Sequence, residues 1–348
     1  MTEAFSSSHD DQSESDAPTR TPVPSGRKTM PAGRVFIVIV VCLSVWTLLY
    51  APTLKRASEA QPLGTRRTIS LLLLRPLASF SDVVQLNRLT DAIQRASGQD
   101  PGSLLQPEPL PSASANPSTA PPTHTGPIRS FSPANKLRVV VVGDSLAQGL
   151  GFYLERVLRP DLVRVSSQGR ISTGLSRPDY FDWPTEMQRI EDVFHPDLVI
   201  AMLGENDHQS LLTKQGQLDT KVSTPGWPGA YTGRVADFAR IAVDNGSHLV
   251  WVGLPVVRDT SRWDYIQRAD DIYSRVMSRT PNAAYLDTWT MFTTKDGRYT
   301  PFLRIGNKIV PVREADGVHF NSTGYQIVAR AAIAAAQQSF SLSAKAVG

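Results

Sequence analysis

The sequence predicts an α/β domain in which helices cover both faces of a parallel sheet. From Leu137 onward, apolar runs of strand length alternate with helical patterns, and glycine follows several of these runs directly. Strands that are buried on both faces read as unbroken apolar runs, and their alternation with helices is typical of parallel sheets. Five strands are expected: Leu137–Val142, Leu162–Val165, Leu198–Leu203, His248–Val252 and Ala284–Leu286. Helices are expected between and after them, at about 146–159, 185–194, 229–245, 264–279 and 323–338.

A separate β-hairpin is expected near the C-terminus. Residues Gly297–Val312 read as two short strands on either side of Gly306-Asn307. A glycine-containing dipeptide between two short strands is typical of a tight hairpin turn. The hairpin would precede the last helix.

The N-terminal segment predicts a polar tail followed by a membrane anchor. Residues 1–34 are rich in Ser, Pro and charge, so they cannot bury enough apolar surface to fold, and we expect a disordered cytoplasmic tail. Residues 35–51 contain no charged side chain and approach the length that crosses about 30 Å of hydrocarbon. A signal anchor is the favoured interpretation. A buried core helix and a signal peptide cleaved near residues 58–60 are the alternatives.

The rest of the chain divides into four parts. Residues 52–100 are expected to be a juxtamembrane region, partly helical, and residues 101–135 a linker, because they are rich in Pro, Ser and Ala. Residues 136–340 carry the α/β pattern, and residues 341–348 form a tail. This order predicts a single-pass membrane protein whose α/β domain lies on the extracytoplasmic side.

Charge and cysteine content exclude several classes of function. The chain has 36 basic and 32 acidic residues, but the two signs nearly balance from Lys136 onward, so no basic face for nucleic acid is predicted. Cys42 is the only cysteine, which excludes a disulfide framework and a cysteine-rich zinc site. No dinucleotide-binding or phosphate-binding glycine motif is present, and neither His195 nor His208 has a metal-ligand spacing. We therefore expect no metal and no cofactor.

The first polar motif follows the first strand. It reads Gly143-Asp144-Ser145-Leu146, so a glycine permits a tight turn and a serine opens a helix. The hydroxyl of Ser145 would stand at the edge of the sheet, beside the unsatisfied N–H groups of a helix N-terminus. A simple helix cap is the alternative role for this serine.

The second polar motif follows the third strand. It reads Gly204-Glu205-Asn206-Asp207. The side-chain amide of Asn206 can donate to an oxyanion that develops at a strand end. A turn in which Asn206 and Asp207 cap local backbone groups is the alternative.

The third polar motif precedes the last helix. It reads Asp316-Gly317-Val318-His319. His319 can accept a proton from a serine hydroxyl near neutral pH, and Asp316 is close enough in the chain to orient its ring. By itself this pattern is also common in surface turns. A parallel sheet, however, brings the ends of its strands to one edge, where all three motifs would meet.

Taken together, the three motifs resemble the SGNH (GDSL-type) hydrolase superfamily, and in particular bacterial membrane-anchored members. The resemblance covers roughly Lys136 to Phe340. It implies a three-layer α/β/α sandwich of about five parallel strands, with a flavodoxin-like arrangement. Before this domain we expect one transmembrane helix and a disordered linker.

The resemblance also implies roles for individual residues. Ser145 would be the nucleophile, His319 the base and Asp316 the residue that orients the base. The oxyanion hole would combine three donors: the backbone N–H of Ser145, the backbone N–H of Gly174 and the side chain of Asn206. Many members have an asparagine five residues before that glycine, where this chain has Gly169.

The implied function is serine-dependent hydrolysis of carboxylic esters through an acyl-enzyme. The expected location favours O-acyl groups, such as acetyl, on cell-envelope glycans, and a lipid ester is a further candidate substrate. Two alternatives share the same residues: an O-acyltransferase, and a catalytically silent module that binds the envelope. The expected partners are thus an ester substrate and, through the N-terminal helix, a membrane.

Overall fold

The structure is a computed structural model that describes residues 33–42, 58, 69–70, 72–73 and 126–348. The chain divides into two compact units, Met1–Leu48 and Leu49–Gly348. In the first unit, residues 33–42 are helical and expose the apolar side chains of Val35–Val41. None of the helices in the described ranges is both long enough and apolar enough to cross a membrane. Most of the predicted tail, the second half of the predicted anchor and the linker before Gly126 lie outside the described residues.

The second unit contains nine strands among the described residues. They are β1 (Leu137–Gly143), β2 (Val163–Gly169), β3 (Leu198–Met202), β4 (Leu211–Leu212), β5 (Leu218–Thr220), β6 (His248–Val252), β7 (Ala283–Leu286), β8 (Phe302–Ile305) and β9 (Lys308–Pro311). Five of them form one parallel sheet in the order β2-β1-β3-β6-β7. The five-stranded parallel sheet that the sequence predicts is thus confirmed. The remaining strands form the antiparallel pairs β4-β5 and β8-β9.

Helices flank the sheet as two separate layers. They are α1 (Ser145–Val157), α2 (Trp183–Phe194), α3 (Trp227–Val243), α4 (Trp263–Met277) and α5 (Ser322–Phe340). Helices α1 and α5 pack against each other, whereas α2, α3 and α4 form a consecutive set, with α3 in contact with both neighbours. The chain order reverses direction in the sheet between β1 and β3, and an open parallel sheet places its ligand site at such a point.

The core fills the space on both sides of the central strands. All five residues of β3 and the run Val139–Val142 of β1 are fully buried. Three tryptophans, Trp183, Trp227 and Trp251, are buried around the sheet as well. Each fully buried Val, Leu, Ile or Met side chain contributes about 1.5–3 kcal/mol to stability, so β1 and β3 form a rigid base for the loops at their ends.

The packed domain extends beyond the predicted bounds of 136 and 340. Upstream, the backbone N–H of Ile128 donates to Phe340 O at 2.8 Å, and Arg129 forms an ion pair with buried Asp197. Downstream, Ala346 is buried and Val347 forms a β-bridge with Leu158. Both ends of the domain therefore pack where the sequence, rich in Pro and Ser upstream, predicts a linker and a tail.

Two elements differ from the sequence-based expectation. Strand β2 continues to Gly169, beyond Val165, because the buried Gln168 side chain donates to Ser166 Oγ at 2.9 Å and so satisfies two polar groups inside the structure. The β4-β5 pair was not expected from the sequence. The β8-β9 hairpin is confirmed, with Ile305 paired to Lys308 around the Gly306-Asn307 turn.

Candidate active site

The first motif makes a tight turn at the carboxyl end of β1. Gly143 has a φ of 139°, and a Cβ atom there would collide with the carbonyl oxygen of Met202 in β3. Only glycine fits this backbone conformation and this close approach. Ser145 follows as the first residue of α1, with Asp144 as the N-cap. The serine hydroxyl is therefore presented at the sheet edge, at a helix N-terminus.

Asp144 fastens the end of β1 to the loop after β3. One carboxylate oxygen accepts from Leu146 N at 2.9 Å, and the other accepts from Gly204 N at 3.2 Å and Glu205 N at 3.1 Å. Complete burial raises the pKa of Asp144 to about 7; the hydrogen bond from Leu146 opposes this rise and nearby Glu205 adds to it. Asp144 is thus a structural link between the first two motifs.

Ser145, His319 and Asp316 form a continuous hydrogen-bonded chain. Ser145 Oγ lies 2.8 Å from His319 Nε2, and His319 Nδ1 lies 2.6 Å from Asp316 Oδ2. The carboxylate fixes the tautomer, because it can only accept: Nδ1 carries the proton and Nε2 is left to accept from the serine hydroxyl. The structure thus brings together three predicted site residues that span 174 positions of sequence.

The loop between Asp316 and His319 is preorganised. The second oxygen of Asp316 accepts from Val318 N at 2.9 Å and His319 N at 3.0 Å, and Gly317 adopts a φ of 79° that favours glycine. Partial burial alone would raise the pKa of Asp316, but the hydrogen bond from His319 and the two backbone hydrogen bonds outweigh it and lower that pKa. These hydrogen bonds therefore stabilise the ionised form of the Asp316 carboxylate.

Asn206 and the Gly174 loop lie side by side. Asn206 Nδ2 donates to Thr173 O at 3.0 Å, which leaves the second hydrogen of the amide free to point elsewhere. Gly174 is the next residue along the loop, and a Cβ atom on it would collide with the Asp207 carboxylate. The structure thus places two predicted oxyanion donors on neighbouring segments and explains why residue 174 is glycine.

Asp207 holds the Gly174 loop in place, a role that the sequence alone did not reveal. This fully buried carboxylate accepts from Leu175 N, Ser176 N and Tyr231 OH, each at 2.8 Å, and from the Ser176 hydroxyl. Its place directly after Asn206 in the second motif was the available signal. Tyr231 lies in α3 and gave no sequence signal, because its contact is set by packing across the fold.

Two other histidines, His195 and His208, make their contacts outside the Ser145–His319–Asp316 chain. His195 is the C-cap of α2, in a left-handed conformation. His208 contacts Glu205 O and the guanidinium of Arg262, both at 3.2 Å. Burial lowers the pKa of His208, and the nearby Arg262 lowers it further. Among the described residues, no group of three or more His, Cys, Asp or Glu side chains is arranged to hold a metal.

Several solved structures are similar to this domain. Similar solved structures include an alpha/beta hydrolase enzyme from the metagenome of Lake Arreo, with 20% identity, 57% coverage of this chain, 94% of that chain and a TM-score of 0.42. A GDSL-like lipase from Bacteroides thetaiotaomicron is 15% identical, with 58% of this chain and 88% of that chain covered and a TM-score of 0.41. A catalytic mutant of an acetylxylan esterase from Geobacillus stearothermophilus is 16% identical, with 57% of this chain and 94% of that chain covered and a TM-score of 0.40.

No curated protein matches the chain. A family model described as "protein of unknown function (DUF459)" matches residues 138–335, which contain all three motifs. Because this family is SGNH-like, the resemblance that the motifs carry is confirmed, whereas membership of a membrane-anchored subgroup stays a prediction. The chain belongs to the DUF459 family.

Proposed function

We propose that this protein is a serine esterase that hydrolyses carboxylic esters through an acyl-enzyme. One observation carries the proposal: Ser145 Oγ, His319 and Asp316 are joined by hydrogen bonds of 2.8 and 2.6 Å at the carboxyl edge of the sheet. A nucleophile bonded to a base, with a third group orienting that base, is the arrangement that activates a serine. Asp144 already caps α1, so the Ser145 hydroxyl is not needed as the helix cap.

Acylation begins when the Ser145 hydroxyl attacks the ester carbonyl. His319 Nε2 takes the hydroxyl proton as the new C–O bond forms, and the carbonyl π electrons move onto oxygen. When the tetrahedral intermediate collapses, the bond to the leaving alkoxide breaks and His319 returns the proton to it, which releases the alcohol. Asp316 stabilises the imidazolium between these two steps.

Deacylation repeats the sequence with water. His319 takes a proton from water as its oxygen attacks the acyl carbon, and the same proton then passes to Ser145 Oγ as the acid leaves. About one third of the His319 side chain and nearly half of the Asp316 side chain are exposed to solvent. This access lets water reach the site as the acyl acceptor.

Three donors would stabilise the oxyanion of each tetrahedral intermediate. They are the backbone N–H groups of Ser145 and Gly174 and the side-chain amide of Asn206. The contact between Asn206 and Thr173, and the hold of Asp207 on the residues after Gly174, support this assignment. Loss of one such donor typically lowers the rate about 10²–10³-fold. The variant Asn206→Ala should therefore remain folded and lose activity by that factor.

The proposed substrates are O-acyl groups, such as acetyl, on cell-envelope glycans. The support is the expected topology, in which residues 35–51 anchor the chain and the catalytic domain lies outside the cytoplasm. Residues 33–42 are helical with exposed apolar side chains, as a membrane-embedded segment would require. Protease treatment of intact and of lysed spheroplasts, from which the layers outside the inner membrane have been removed, tests the topology. The domain should be cleaved in both, and protection in intact spheroplasts would contradict an extracytoplasmic domain.

The esterase proposal is tested by hydrolysis of p-nitrophenyl acetate by the purified full chain and by its Ser145→Ala variant. Activity in the parent and its loss in a folded variant are expected. The same assay with an acceptor sugar distinguishes the transferase, which would yield acylated sugar in place of free acid. Equal activity of parent and variant would contradict the proposal.

A further inference from the structure

The peptide group that precedes Asn206 is held by an arginine from a distant segment. Arg262 Nη2 donates to Glu205 O at 2.6 Å, and Arg262 Nη1 lies 2.7 Å from Glu205 Oε1. The Glu205 carbonyl belongs to the planar peptide that joins Glu205 to Asn206. Because the peptide is planar, fixing this carbonyl also fixes the position of Asn206 N. It thereby limits the directions in which the Asn206 side chain can point.

Other contacts hold the two flanking backbone groups. Glu205 N donates to the Asp144 carboxylate at 3.1 Å, and Gln209 Nε2 donates to Asn206 O at 2.6 Å. Side chains thus hold three of the four polar backbone groups of Glu205 and Asn206. Of the three oxyanion donors, Asn206 is the one whose N–H sits on a side chain with rotatable bonds, so it gains most from such support.

The Glu205 carboxylate helps to hold the Arg262 guanidinium beside the Glu205 carbonyl. This side chain is buried, and burial raises the pKa of Glu205 to about 7 while the charge of Arg262 and their hydrogen bond oppose the rise. A buried carboxylate needs its charged partner, so the ion pair holds the guanidinium in position. From that position the second nitrogen reaches the carbonyl. A lysine has a single charged nitrogen and does not supply this planar, two-pronged contact.

We propose that Arg262 is a positioning residue that sets the Asn206 amide for oxyanion stabilisation, and the proposal rests on the esterase function above. Arg262 lies in the connection between β6 and α4, outside all three motifs. Misplacement of a catalytic group by about 1 Å can cost on the order of 100-fold in rate. Loss of Arg262 should thus lower kcat through Asn206, without a matching change in substrate affinity.

The test compares variants of the full-length protein by steady-state hydrolysis of p-nitrophenyl acetate. Arg262→Ala should lower kcat about 10- to 100-fold, with KM within about threefold. The control is Arg268→Ala, an exposed arginine of α4 that donates to Asp264 O of its own helix, and it should leave kcat unchanged. Arg262→Ala leaves Glu205 without its partner, so the double variant Arg262→Ala/Glu205→Gln removes the buried charge and keeps the test valid if the single variant unfolds.

A double-mutant cycle separates positioning from general damage. If Arg262 acts through Asn206, then Arg262→Ala in an Asn206→Ala background should lower kcat by less than about threefold further. Independent, multiplicative losses would overturn the positioning role, and so would an unchanged kcat in folded Arg262→Ala protein. Equal hydrolysis by the parent and Ser145→Ala would instead overturn the esterase function, and the positioning role with it, so the two failures are distinguishable.

Discussion

Replacing Asp207 with asparagine should loosen the loop that carries Gly174, because the nearly isosteric change replaces one acceptor oxygen with an NH₂ donor. Asp207 accepts four hydrogen bonds, from Leu175 N, Ser176 N, the Ser176 hydroxyl and Tyr231 OH. The NH₂ group of the asparagine would face one of the two backbone N–H groups, which loses its acceptor, and the hydroxyl on the same side would have to accept instead of donate. One or two of the four hydrogen bonds are therefore lost at a fully buried position.

The magnitude follows from the chemistry of those bonds. Hydrogen bonds to a charged group contribute about 1.5–3 kcal/mol each, so the loss of one or two of them costs about 1.5–6 kcal/mol. For a domain of this size, 1 kcal/mol changes Tm by about 2–4 °C, which gives a decrease of roughly 3–24 °C. Differential scanning calorimetry of the parent and Asp207→Asn measures the decrease. Tyr231→Phe, which removes one of the four bonds and leaves both backbone N–H groups paired with Asp207, should show a smaller one.

The same variant has an expected kinetic consequence. If the Gly174 N–H is an oxyanion donor, then loosening its loop should lower kcat below the level of Tyr231→Phe at a temperature where both proteins are folded. An Asp207→Asn protein with a Tm within 2 °C of the parent would refute the argument from acceptor loss. A normal kcat in a destabilised protein would remove Gly174 from the proposed oxyanion hole.

Three further predictions follow from other contacts. Gly143→Ala should lower the free energy of unfolding by about 2–5 kcal/mol, because its Cβ would collide with the Met202 carbonyl in a backbone conformation that disfavours side chains. Gly233→Ala, at an exposed position of α3 with open space around it, should instead raise the free energy of unfolding by about 0.5–1 kcal/mol. Urea unfolding measures both changes, and equal stability of the two variants would contradict the argument. Asp316→Asn should lower kcat about 10²–10⁴-fold with Tm little changed, and full activity would contradict its role. Burial raises the pKa of Glu191 to about 8, so the folded protein retains a proton that the unfolded chain releases near pH 4.5. The free energy of unfolding should therefore fall as the pH rises from about 4.5 to 8. A Glu191→Gln protein with the same pH dependence as the parent would refute this.

The central sheet was predictable because β1, β3 and β6 are largely apolar runs that lead into a glycine. Strand β2 was predicted too short, since Ser166 and Gln168 satisfy each other in the folded protein and nothing in the sequence marks that pairing. The ends of the domain were predicted too narrowly for a similar reason. Arg129 reads as part of a proline-rich linker until its partner, Asp197, is seen 68 residues away.

In the candidate site, too, some residues are marked by a local sequence pattern and others only by contacts between distant segments. Ser145, Asn206, Asp316 and His319 follow from motifs that chemistry constrains locally. Arg262 lies 57 residues from Glu205, in a segment without a motif, so only the three-dimensional contact identifies it. The residues proposed to act on a substrate are thus marked by sequence motifs, whereas the contacts that hold them in place depend on packing between distant segments.

Labelling with a fluorophosphonate, followed by peptide mass spectrometry, tests the central proposal most directly. The probe phosphonylates a serine only where a base activates it, so the proposed mechanism predicts one adduct on Ser145 in the full-length protein. Ser145→Ala should carry none, and His319→Ala should react far more slowly while remaining folded. An adduct on a different residue, or equal labelling of the parent and Ser145→Ala, would contradict the assignment of Ser145 as the nucleophile.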